Sequence, residues 1–385
     1  MPSARGAVKG PALWTDAVFR APHRRAARRS LAVGVLPGEG IGPEVVQAAL
    51  AVLAAVRSAG GPSFVISTGG AIGRAAEERT GGALTEEVTA FCQGVFDAGG
   101  AILAGPGGGR FVYDLRRCFD LFCKISPLRP WDPLAHACRL KVSAVAGADV
   151  LIVRENVGGV YQGEWSETLD PAGRRVCEHR FRYTEGQVVR ILEVAAALAA
   201  QRRGQMAVVV KEGGVPGISA LWREVASDVA GRARVSFACL DVDLIAYRLI
   251  QEPRAFDVVV APNLFGDVLA DLGAVLLGSR GVSFSGNFSP GGAAVYQTNH
   301  GSALDLAGLD RANPLGQIAA LAMMLRESFG LTREAGWVEA AVHEVLRLGF
   351  RTFDIAEEGT TLVGTAEMGE RVASAVTRVA RSTPE

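Results

Sequence analysis

An alternation that begins at Leu31 and runs almost to the end constrains this 385-residue chain more than any other feature. Short apolar runs, "LAVGVLP", "SFVIST", "AILAGPGGG", "DVLIVREN", "MAVVVKEGG" and "FDVVVAPN", have the length and composition of strands, and "DVLIVREN" and "MAVVVKEGG" read as buried ones. Between them lie segments of helical period: "PEVVQAALAVLAAV", "TEEVTAFCQGVFDAG", "ISALWREVASDVA" and "VDLIAYRLIQ". "NPLGQIAALAMMLRESF" and "WVEAAVHEVLRLGF" end the chain as helices. Strand alternating with helix predicts an α/β protein. Polar residues gather at strand ends, where open α/β sheets bind ligands.

Formal charge balances at zero, which removes any general attraction to nucleic acid or an anionic membrane. No apolar run is long enough to span a bilayer. The six cysteines show no CxxC or zinc-like pairing and read as reduced thiols of a cytoplasmic protein. Residues 1–30 are rich in Arg and Ala and lack a signal-peptide apolar core. They are expected to form a disordered basic tail rather than an organellar transit peptide.

"VLPGEGIGPEVVQAAL" looks at first like a dinucleotide-binding turn. The spacing is G-x-G-x-G, however, and no acidic residue lies between Val45 and Ala76 to clamp a ribose. A standard Rossmann fingerprint is therefore absent. In "NLFGDVLADL", Asp267 and Asp271 are four apart and share one helix face behind a buried strand. The residues alone allow an exposed helix face or an oxygen-only site for Mg²⁺ or Mn²⁺. Arg154, in "IVRENVGGVYQGE", can fork onto a carboxylate, and Tyr161 offers a phenolic proton. Lys211 ends the strand "VVVK", where partial burial would lower its pKa toward base work. The loop "NHGSALDLAGLDRANP" has the character of a nucleotide cradle, with His300 and Asn313 for adenine and Asp305 for ribose hydroxyls.

"LPGEGIGPEV", "LRRCFDLF", "VRENVGGVY", "GDVLADL" and "HGSALDLAG…ANP", in this order, closely resemble the metal-dependent β-decarboxylating dehydrogenases of isocitrate, isopropylmalate and related 2-hydroxy acids. The resemblance runs from about Leu31 to the C-terminus. It implies a two-domain α/β/α sandwich with a central mixed sheet, not a standard Rossmann fold. A large NAD-binding domain would take 31–121 and 278–385, and a smaller dimerisation and substrate domain 122–277.

The resemblance also implies roles. Arg116 and Arg154 would grip substrate carboxylates, and Tyr161 would protonate the enol left by CO₂ loss. Lys211 would act with a water on the hydroxyl proton, and Asp243, Asp267 and Asp271 would hold Mg²⁺ or Mn²⁺. NAD, rather than NADP, would lie against Ile41, His300, Gly301, Ser302, Ala303, Asp305 and Asn313. Homodimers with shared sites are expected, Lys211 and Asp243 acting in trans.

Several family positions are altered. "LFANLRP" reads "LFCKISP", so Ser126 stands where a third substrate arginine belongs, and Arg129 is the candidate substitute. Gln297 replaces the glutamate of "EPIHGS", and Glu39 the aspartate of "GDGIGPE". The loop reading the third substituent carries Arg110, Val112 and Tyr113. An arginine there favours a carboxylate or phosphonate over an aliphatic group. The chain is thus expected to be an NAD-dependent oxidative decarboxylase of a malate-type acid. The alternatives are a tartrate- or D-malate-like dehydrogenase and a catalytically silent regulatory paralogue.

Overall fold

A computed structural model describes residues 13–19 and 30–382. Its strands are β1 (Ser30–Leu36), β2 (Ser63–Thr68), β3 (Ala101–Ala104), β4 (Cys123–Leu128), β5 (Val150–Glu155), β6 (Glu164–Leu169), β7 (Arg175–Arg180), β8 (Gln205–Val210), β9 (Ser236–Asp241), β10 (Val258–Ala261), β11 (Phe284–Phe288) and β12 (Ala294–Thr298). Ten of them make one sheet in the order β2-β1-β3-β12-β11-β4-β5-β10-β8-β9. The flanks are parallel, joined by helical crossovers, whereas β12–β11, β11–β4 and β4–β5 pair antiparallel. The sheet is therefore mixed, as expected for an α/β/α sandwich. Strands from 31–121 and 278–385 occupy one half, strands from 122–277 the other, and they meet at β11–β4.

Strands β3, β4, β5 and β10 are buried throughout, which requires cover on both faces. The helix Gly42–Ser58 carries Pro43 in its first turn, where the missing N–H costs nothing. It packs on the helix Thr365–Ser382, and Gly369 permits the approach, because a Cβ there would come within 2.8 Å of Ala48. The hairpin β6–β7 stands apart from the sheet, exposed along both strands, with Trp165, Leu169 and Val176 in solvent. Sequence patterning did not single out this hairpin, nor β4, β9, β11 and β12.

One correction concerns the N-terminal segment. Residues 13–19, placed in a disordered tail, pack onto the body of the protein. The Thr15 N–H donates to Glu327 Oε2 at 3.1 Å and its hydroxyl to the Glu327 carbonyl at 3.0 Å, while Val18 is buried. The apolar "LWTDAVF" outweighs its basic surroundings. The rest of the proposed tail, 1–12 and 20–29, lies outside the described residues. No helix among the described residues is long and apolar enough to cross a membrane.

Candidate active site

Lys124 is paired across the sheet with Arg154 on one side and Asn287 on the other, and Asn287 pairs with Val295. Paired residues, and residues two apart on one strand, share a face. Lys124, Ser126, Arg154 and Gln297 therefore point to the same side, over the meeting line of the two half-sheets. Two helices close over it: Phe111–Cys118, bringing Val112, Tyr113 and Arg116, and Asn263–Gly273, bringing Asp267 and Asp271. The cavity so formed measures about 340 Å³. Its wall is completed by Pro106, Gly107, Arg280, Gln297, Asn299, His300 and Gly301.

Arg154 is held from behind. Its Nε and Nη2 donate to Asn263 Oδ1 at 3.0 and 2.7 Å, and its Nη1 pairs with Asp267. Asn263 is itself fixed: its Nδ2 donates to the Gly158 carbonyl and its backbone N–H to the Tyr183 hydroxyl, both at 2.8 Å. That packing explains the glycine pair in "ENVGGVY". A Cβ on Gly159, where φ is +70°, would lie 2.2 Å from the Tyr183 hydroxyl oxygen. The Tyr161 hydroxyl then reaches Asp267 Oδ2 at 2.9 Å, its ring tilted against Tyr113 at 5.0 Å.

Electrostatics follow from burial. Burial opposes the charged form of Asp267, but Arg154, Lys124 and the Tyr161 hydrogen bond hold its carboxyl below the usual range. Burial and the adjacent Asp267 raise the Tyr161 phenol, which keeps its proton. Burial beside Arg154 brings Arg116 down to about 9, and burial beside both guanidiniums drives Lys124 well down. Asp271 pairs with Arg280 at 2.7 Å.

The glycine turn packs against the loop that follows β12. The Ile41 N–H donates to the Ser302 carbonyl at 2.9 Å, and a Cβ on Gly40 would sit 1.9 Å from that oxygen. Glu39 bridges three segments, accepting from Gly108 N at 2.8 Å, Arg74 N at 2.8 Å and Ser302 Oγ at 2.9 Å. Ile41 packs with Val45, Ala312, Ala303 and Leu306. Burial lowers His300, whose Nδ1 lies 3.0 Å from the Gly301 carbonyl. Asp305 is exposed. Asn313, expected at adenine, is buried and spends its carboxamide on Asp354 and on Leu315 N.

Three expectations need correction. Arg129 lies past the far end of β4 and lines a separate cavity with Trp131, Asp149 and Arg202, so it does not replace the arginine missing at Ser126. Arg110 turns out of the cavity, stacking over Trp165 at 4.9 Å and donating to the Tyr161 carbonyl at 3.2 Å. Lys211 is not buried. Its hydrogen bonds to Asp243, at 2.7 Å, and Asp241, at 3.3 Å, raise its pKa. Lys211 and Asp243 sit together on the surface, outside the Asp267 cavity.

Reading the sequence missed Lys124, Asn263 and Arg280. Only Lys124 left a signal: a cation inside an otherwise apolar strand. Among the described residues no three His, Cys, Asp or Glu side chains cluster to hold a metal ion. One chain brings two carboxylates, Asp267 and Asp271, to the same wall. Two carboxylates with substrate oxygens and water suit Mg²⁺ or Mn²⁺, which keeps part of its water shell.

The family model for isocitrate/isopropylmalate dehydrogenase matches residues 32–372. The chain is 38% identical over 357 residues to a 3-isopropylmalate dehydrogenase of Geobacillus kaustophilus, covering 89% of this chain and 95% of that one. It is 39% identical over 366 residues to the 3-isopropylmalate dehydrogenase of a Synechococcus species, covering 91% and 94%. Its fold is similar to the crystal structure of isocitrate dehydrogenase from Methylococcus capsulatus, with a TM-score of 0.81 and 29% identity over 90% of this chain and 99% of that one.

Proposed function

Because the chain belongs to the isocitrate/isopropylmalate dehydrogenase family, whose members use NAD(P) and Mg²⁺ or Mn²⁺, we propose that it catalyses NAD-dependent oxidative decarboxylation of a malate-type 2-hydroxy acid. The observation that carries this is the cavity itself. It unites paired carboxylates, buried cations and the 297–301 segment in one space of about 340 Å³.

In this reading Arg116 and Arg154 orient substrate carboxylates, Arg154 being preset by Asn263. Asp267 and Asp271 would hold the divalent cation, which would supply Lewis-acid polarisation of a substrate oxygen. Ile41 and residues 300–305 would hold NAD⁺, which would supply the hydride acceptor. Tyr161, protonated across the physiological range, delivers a proton to the carbon that loses CO₂.

Lys211 and Asp243 complete the partner's site in a homodimer. Support comes from their joint exposure and from the hairpin β6–β7, which leaves Trp165, Leu169 and Val176 exposed among the described residues. The two domains meet at β11–β4. Six free cysteines fit a reducing cytoplasm.

The third substituent is proposed to be anionic, a carboxylate or phosphonate. The guanidiniums of Arg116 and Arg280, which line the cavity, and of Arg154, paired with Asp267 at its edge, outnumber the two carboxylates of Asp267 and Asp271. Purified protein given NAD⁺ and Mn²⁺ should turn over isocitrate-like acids in preference to isopropylmalate. The reverse preference overturns the anionic substituent, and no NADH from any malate-type acid overturns the activity.

A further inference from the structure

We propose that Lys124 binds substrate directly, its ammonium gripping an oxyanion of the hydroxy acid together with Arg116. This rests on the reading of the cavity as the substrate site and adds a binding residue to it.

The first support is placement. Lys124 lies on an interior strand, buried along its whole length, and is itself only 4% exposed. It nonetheless lines the cavity, in the row shared with Arg154 and on the face shared with Ser126. The second is the state of its ammonium, which has no hydrogen-bond or ion-pair partner among the described residues. Asp267 and Asp271 act on it through space, yet both are committed, Asp267 to Arg154 and Tyr161, Asp271 to Arg280.

A buried cation without a counter-charge is costly, and the cost rises beside two guanidiniums. Arg116 is in the same position: 5% exposed, lining the same wall, its guanidinium without a carboxylate. Two unpaired buried cations around one cavity make a receptor for an oxyanion. A cation bound at Asp267 and Asp271 would add to the demand.

The same geometry explains Ser126. Two residues along a strand is about 6.6 Å, so a long side chain at either position reaches the same space. Lys124 lines the cavity where Ser126 does not, so the cation two residues along the strand stands in for the one absent at Ser126. A lysine also differs from an arginine: it presents a compact charge with three rotatable donors rather than a planar fork, and so accepts a carboxylate or a tetrahedral phosphonate with equal ease.

The test uses the full chain with NAD⁺ and Mn²⁺. Lys124→Met should raise the KM for the hydroxy acid about ten- to a hundredfold and leave the KM for NAD⁺ unchanged. Adding Ser126→Arg to that variant should recover at least about tenfold, a rescue that a merely structural lysine would not give. Lys124→Gln serves if the apolar variant does not fold. An equal penalty with malate, isopropylmalate and isocitrate assigns the grip to the malate core. A penalty confined to isocitrate assigns it to the third substituent. Unchanged substrate KM in folded variants overturns the proposal and leaves the dehydrogenase reading standing. Should the wild type turn over none of these acids, calorimetric binding of malate decides: loss of binding in Lys124→Met supports the role of Lys124, and equal or absent binding overturns it.

Discussion

Gly40→Ala should separate cofactor binding from folding. Gly40 sits at φ +60°, and an added Cβ would stand 1.9 Å from the Ser302 carbonyl oxygen. Ordinary contact begins at 3.4 Å, so the 36–42 turn and the 300–303 loop must part by about 1.5 Å. The left-handed backbone adds roughly 1–2 kcal/mol of local cost. Parting breaks the Ile41 N–H to Ser302 hydrogen bond and pulls on the Ser302 to Glu39 contact. A displacement near 1 Å typically costs about a hundredfold in a positioned complex. Calorimetric titration with NAD⁺ should therefore show affinity weakened by about that factor. The melting temperature should fall only a few degrees, roughly what 1–2 kcal/mol produces in a protein of this size. A folded variant that binds NAD⁺ as tightly as the wild type would refute the placement of the cofactor against this turn.

Other outcomes follow from the same geometry. Tyr161→Phe removes the hydrogen bond to Asp267 and the proton donor, and should lower kcat by about a hundredfold or more with little change in substrate KM; steady-state kinetics decide. Lys211→Ala and Asp267→Asn should each be inactive alone, yet recover roughly a quarter of wild-type activity when co-expressed, since mixed dimers keep one intact site. Glu327 binds its proton up to about 7 when folded because burial opposes its charge, against 4.5 when unfolded. Its contribution to stability is thus fully present below 4.5 and is lost as pH rises through about 7, on the order of 3 kcal/mol. Proteolysis near Thr15 should increase over that range, and Glu327→Gln should flatten the dependence.

Much of the architecture was legible because buried parallel strands are apolar runs and their helices keep a period of 3.6. The aspartate pair was legible for a similar reason: its spacing fixes a shared helix face, and Asp267 and Asp271 do line one wall. What stayed hidden depends on contacts between distant segments. The side of β4 that faces the cavity is set by its register with β5 and β11, so although Lys124 stands out as a cation inside an apolar strand, nothing local says that it lines the cavity and Arg129 does not. Arg110 has the right neighbours in sequence, but Trp165, over fifty residues on, draws it away. The tail was misjudged at residues 13–19 because its apolar stretch is short and its partner, Glu327, is more than three hundred residues distant.

The most direct test of the central claim is stoichiometry: NADH and CO₂ measured together from purified protein with NAD⁺, Mn²⁺ and a panel of malate-type acids. The account predicts equimolar NADH and CO₂ from at least one acid carrying an anionic third substituent. NADH without CO₂, or neither product from any acid, would contradict it.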